Sequence, residues 1–148
     1  MRLLLVTGLV VVAACNPFTF WGEAKAQKDV ADKATAHFHQ LLDAARYDSI
    51  YNQADPDFRE SVSEKDVNAL WRTVQRRLGP VQGTTLASWN VNMSTGGGTQ
   101  VRLIYRTAFA KDSATETFTW RIRDGKPGLL GYNVNSAALL RALADEKN

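Results

Sequence analysis

Apolar residues follow two rhythms along this chain, steps of three and four in the first half and steps of two in the second. From Glu23 to about Ala45 the positions Val30, Ala34, Phe38, Leu41, Leu42 and Ala45 form one stripe with no proline among them, which predicts a long amphipathic helix. Tyr47 to Tyr51 reads as a second, short helical piece, and Asp55-Pro56-Asp57 as a turn. Ser63 then supplies an N-cap, with Glu64 and Asp66 placing negative charge in the first turn of a stronger helix. Val67, Leu70, Trp71, Val74 and Leu78 are its expected buried stripe, and Arg72, Arg76 and Arg77 its exposed C-terminal cations. Gly79-Pro80 stops it, because proline cannot continue a helix.

Beyond Pro80 the alternation is that of half-buried strands. Val81 to Ser94 places Thr85, Ala87, Trp89, Val91 and Met93 on one face. Val101 to Ala110 places Val101, Leu103, Tyr105 and Phe109 on one face, with Arg102 and Arg106 opposite. Glu116 to Ile122 places Phe118, Trp120 and Ile122 against Thr117, Thr119 and Arg121. Leu129 to Val134 offers Leu130, Tyr132 and Val134, and Ser136 to Ala144 closes as a short helix with Leu139, Leu140 and Leu143. Turn signals fall at Gly96-Gly97-Gly98, at Lys111 to Ala114 and at Asp124 to Gly128.

With Ala110 opposite Thr115, Tyr105 faces Trp120, Leu103 faces Ile122 and Thr107 faces Phe118. A five-residue loop at Asp124 to Gly128 then brings Trp120 to Tyr132 and Phe118 to Val134. One face is apolar through three strands, and a one-residue slip would destroy that. The expected fold class is α+β, with N-terminal helices packed on one face of a curved four-stranded antiparallel meander and a short C-terminal helix.

The N-terminus changes the setting. Arg2 is followed by an uncharged run from Leu3 to Ala14 and then Cys15, the only cysteine in the chain. Twelve residues make about 18 Å of helix, short of a hydrocarbon core of about 30 Å, so a signal peptide over 1–14 fits better than a membrane span. Val12-Ala13-Ala14-Cys15 resembles the lipobox of bacterial lipoproteins, which implies lipidation of the Cys15 thiol. Asn16, where aspartate is associated with inner-membrane retention, implies the periplasmic side of the outer membrane. Residues 15–22 are then a lipidated tether, in which Phe18, Phe20 and Trp21 either rest at the headgroup level or pack back onto the domain. Residues 23–148 are one domain's worth of chain, long enough to bury a core unaided. Without Arg2 the 18 basic residues become 17 against 15 acidic ones, and neither this balance nor a pI near 9.2 points to nucleic acid.

Phe38 to Asp43 with Tyr47-Asp48, Phe58-Arg59, Val62-Ser63, Arg77-Leu78-Gly79, Thr107-Ala108-Phe109, Glu116-Thr117 and Gly131-Tyr132 carry a family resemblance. Their order resembles the cystatin-like and nuclear-transport-factor-2-like folds, and more narrowly a bacterial family of small exported proteins of unknown function. Pro127-Gly128-Leu129-Leu130 departs from that pattern by lacking a tryptophan before Gly131. The resemblance implies the fold and assigns no catalytic residue.

Enzyme signals are weak. His37 and His39 lie about 200° apart on one helix and cannot share a metal; His39 is placed to pair with Asp43, and His37 at the edge of the core. The three glycines lie between strands and lack the helix N-terminus of a phosphate cradle. No metal, cofactor or nucleic-acid partner is expected. Arg102, Arg106, Arg121 and Arg123 share the outer sheet face, where the register above sets Arg102 against Arg123, a mildly destabilising pair; the face either meets an anionic or polar partner or simply solvates an open sheet. The expected function is a non-catalytic envelope lipoprotein that binds a protein or envelope component, inhibitor and immunity roles included. The alternative is a small-molecule pocket between sheet and helices, with isomerase-like chemistry, lined by His37, Asp43, Tyr105 and Tyr132.

Overall fold

The computed structural model describes residues 17–94 and 96–145. The expected signal peptide, Cys15 and the side chains of Phe18 and Leu143 lie outside the described residues. Helix α1 (Pro17–Asp43) begins six residues earlier than the apolar stripe suggests, with proline at its first position, where the missing N–H has no intrahelical role. The stretch expected as a tether is therefore helical from Pro17 onward. Phe20 and Trp21 are exposed rather than packed on the domain. At the other end Ala45 adopts a left-handed φ of 54°, and the Ala45 and Arg46 N–H groups donate to the Leu42 and Leu41 carbonyls. That pattern closes a helix in the way a glycine ordinarily does.

Helix α2 (Tyr47–Asn52) is the short piece expected. The Asp55-Pro56-Asp57 signal opens a further helix, α3 (Pro56–Ser61), where only a turn was expected: Asp55 accepts the Asp57 N–H and Pro56 fills the first turn. In α4 (Glu64–Leu78) the Ser63 hydroxyl oxygen accepts the Asp66 N–H, the cap the sequence predicts. Its buried face is Val67, Asn68, Trp71, Val74 and Leu78; Leu70, expected there, is exposed.

Strands β1 (Val81–Ser94), β2 (Gly98–Phe109), β3 (Ser113–Arg123) and β4 (Lys126–Asn135) form one antiparallel sheet in sequence order, followed by α5 (Ala137–Asp145). The fold class is as expected, but the register is not. Tyr105 lies opposite Glu116, Leu103 opposite Phe118, Val101 opposite Trp120 and Thr107 opposite Ala114, four positions away from the expected pairing. The β2–β3 loop is tight, with Ala108 already opposite Ser113 and the Phe109 N–H donating to the Asp112 carbonyl. The β3–β4 turn is only Asp124-Gly125, both at positive φ (51° and 72°), rather than five residues. Two consecutive left-handed residues match the twist of a two-residue hairpin.

These shifts are even, so each side chain keeps its face while its partner changes. Three irregularities in the pairing, one of them between Val81 and Gly83, do change faces. A bulge between Thr119 and Trp120 sets Leu129, not Leu130, against Trp120, while Tyr132 remains on the inner face opposite Phe118. Another between Leu86 and Ser88 puts Leu86 inward opposite Tyr105, and leaves Thr85 outward opposite Arg106. The inner face of the sheet meets Phe38 and Leu42 of α1 and Trp71, Val74 and Leu78 of α4 in one core.

Candidate functional site

The interior holds a polar cluster among aromatic rings. Glu116 shares the inner face of β3 with Phe118 and Trp120 and is fully buried. Its Oε2 lies 2.8 Å from His39 Nε2 and accepts the Thr107 hydroxyl at 2.6 Å; its Oε1 accepts the Tyr132 hydroxyl at 2.7 Å. Two oxygens thus face three groups able to donate, the arrangement that satisfies a buried carboxylate. Burial, and then the neighbouring Glu116, push the Tyr132 phenol well above its ordinary value. The expected His39–Asp43 pair does not form, since His39 faces inward and Asp43 accepts the Val81 N–H at the start of β1. The available signal was parity, because an acid that alternates with Phe118, Trp120 and Ile122 must point the same way they do.

The four residues expected to line a pocket do not converge. His37 is exposed, on the rim of a cleft of about 90 Å³ between α1, α2 and β4 whose walls include Phe38, Leu41, Ile50, Trp120 and Leu129. Asp43 lies at the α1–β1 junction. Tyr105 donates to Asp32 Oδ1 at 2.5 Å, and burial, followed by that carboxylate, raises its phenol. Tyr132 belongs to the Glu116 cluster. The cleft is well below the roughly 300 Å³ at which ligand pockets begin.

The outer sheet face separates its four arginines into two pairs. Arg102 lies between Asn90 and Thr119, not against Arg123, and Arg106 lies between Thr85 and Thr115. Both are exposed, and among the described residues neither has a carboxylate partner. Arg121, by contrast, crosses the glycine opposite it, Gly128, to reach Asp55 Oδ1 at 3.0 Å and Asp57 Oδ2 at 2.6 Å, and Arg123 reaches Asp55 Oδ2 at 3.2 Å. The Asp57 hydrogen bond raises the Arg121 guanidinium and holds the Asp57 carboxyl below its ordinary value. A Cβ on Gly128 would come within 3.2 Å of the Asp55 backbone, so this position needs glycine for close approach. The Asp55 N–H donates to the Leu129 carbonyl, which covers this edge of β4. Arg121 and Arg123 are thus structural cations, and the candidate face narrows to Arg102 and Arg106.

Among the described residues no group of three histidines, cysteines or acids could hold a metal ion, and no helix is long and apolar enough to cross a membrane. Residues 34–132 match the family described as a protein of unknown function, DUF4019. The chain belongs to that family. No curated protein matches it in sequence. Every motif in the resemblance above, from Phe38 to Tyr132, falls inside the matched span of the DUF4019 domain, and so does the whole Glu116 cluster.

Proposed function

We propose that this DUF4019 protein is a non-catalytic envelope lipoprotein of cystatin-like fold. Lipid on Cys15 holds it at the periplasmic face of the outer membrane, and its outer sheet face binds an anionic protein or envelope component. The observation that carries the binding reading is the pair Arg102 and Arg106, exposed on the outer sheet face with Ile104 between them, flanked by threonine, asparagine and glutamine, and without a carboxylate partner among the described residues. Four residues apart on one strand, the two backbone positions are spaced by about 13 Å. That span suits an extended or macromolecular anion better than a small one. The interior is consistent with the same reading, because the buried Glu116 side chain is occupied by three partners, His39, Thr107 and Tyr132.

The test is co-purification from crosslinked native envelope. Arg102→Ala with Arg106→Ala is expected to lose the partner that the parent protein retains, with an unchanged far-UV CD spectrum. Undiminished capture would overturn the binding reading. The anchor is tested separately: labelled palmitate is expected to mark the protein and to spare Cys15→Ser, and label on that variant would sink the lipoprotein assignment.

A further inference from the structure

The two edges of the sheet are treated differently. At β4 the α2–α3 junction donates a backbone hydrogen bond to Leu129 and anchors Asp55 against Arg121 and Arg123. At β1 the sheet ends among the described residues: β1 pairs with β2 alone there, runs for 14 residues and carries no charged side chain anywhere along it. Strand edges are ordinarily protected by charge, proline, brevity or a covering element, since an open edge presents unpaired N–H and C=O groups to any other strand. The first half of β1 has partial protection from its two bulges, after Val81 and after Leu86. From Ser88 to Ser94 the pairing with β2 is regular, and this stretch has no charge, proline or bulge.

That second half reads Ser-Trp-Asn-Val-Asn-Met-Ser, nearly the same in both directions. Trp89, Val91 and Met93 lie opposite Leu103, Val101 and Thr99 and so face inward, and Trp89 is still 38 % exposed. Ser88, Asn90, Asn92 and Ser94 face outward. An antiparallel copy placed on a two-fold axis through Val91 would set Trp89 against Met93, Asn90 against Asn92, Ser88 against Ser94 and Val91 against itself. Every pair then matches apolar with apolar, amide with amide or hydroxyl with hydroxyl, no like charges meet, and the sulfur is set against an aromatic ring. An isologous contact requires this kind of self-complementarity.

We propose that β1 is a homodimerisation edge, joining two copies of this chain through Ser88–Ser94 into one continuous eight-stranded sheet. The contact does not depend on the arginine face or on the anchor. It places both copies' outer faces on the same side of that sheet, so the paired Arg102 and Arg106 positions form one longer cationic surface.

The test is sedimentation of the full chain in mild detergent over a concentration series. The parent protein is expected to sediment as a dimer. Asn90→Lys with Asn92→Lys sets lysine against lysine twice across the axis and is expected to weaken the dimer by about tenfold or more. Asn90→Lys with Asn92→Glu sets lysine against glutamate twice and is expected to restore it. Both changes lie on the exposed face, so the fold is kept, and a CD melt verifies that. A parent protein that stays monomeric at the highest concentration it tolerates overturns the proposal and leaves the edge to a strand of another protein. A double-lysine variant that dimerises like the parent overturns it too, because the contact must then lie elsewhere.

Discussion

Glu116 joins His39, Thr107 and Tyr132 in the interior. Removing it as Glu116→Ala leaves His39, Thr107 and Tyr132 with no partner in a dry aromatic setting. The expected cost is several kcal/mol in urea unfolding, at about 1–3 kcal/mol for each buried polar group left unsatisfied. Glu116→Gln keeps the shape but presents only one acceptor oxygen, so an intermediate loss is expected in the same measurement. Tyr132 adds a pH signature. Its phenol is raised above the ordinary value of 10.0, so the hydrogen bond to Glu116 contributes in full below pH 10 and fades as pH climbs through the folded-state value. The stability excess of the parent protein over Tyr132→Phe should therefore be constant near neutrality and shrink in alkali; an excess that grows above pH 10 would contradict this. Parity along β3 made it legible that Glu116 points inward. Its main partner was not, because His39 lies 77 residues away and had a nearer acid, Asp43, to suggest.

Elements were legible where local chemistry forms them. The α4 cap at Ser63, its stop at Gly79-Pro80 and the strand alternation all follow from neighbouring residues. Helix α3 was not, since its six residues are too few to show a period, and Asp55-Pro56 starts a turn and a helix in the same way. The end of α1 offers a direct check. Ala45 holds a left-handed φ of 54° that glycine adopts without a Cβ penalty, and it is exposed. Ala45→Gly is expected to stabilise the protein by about 0.5–1 kcal/mol, read as a higher melting temperature, despite the usual cost of adding a glycine. Gly128→Ala should act in the opposite direction. Its Cβ would press on the Asp55 backbone, so the Asp55 amide, bonded to Leu129, should exchange with solvent faster while the β2–β3 amides keep their protection.

At the scale of the molecule, carboxylates pin peripheral pieces to the sheet. The Asp57 carboxyl is held below 3.8 by the Arg121 hydrogen bond, and Asp112 is held down by the Ala138 and Ser113 N–H groups. Groups depressed in this way contribute above the ordinary carboxylate value and lose that contribution as pH falls through the folded-state value. Acid should therefore loosen the α3 edge and the start of α5 below about pH 4, before the aromatic core opens. Asp57→Asn is expected to match the parent protein's stability in strong acid and fall below it at neutrality. What the sequence determined by itself was everything set by near neighbours: the helix–strand order, the inward side of each regular strand, the cap and stop of α4, and the α+β class. The tertiary structure alone decided which residues meet. Alternation has a period of two, so it cannot detect a register slip of two or four, and only the closed turns and bulges set whether Tyr105 would face Trp120 or Glu116. For the same reason only the folded chain could separate Arg121 and Arg123, held by acids more than 60 residues away, from Arg102 and Arg106 on the open face.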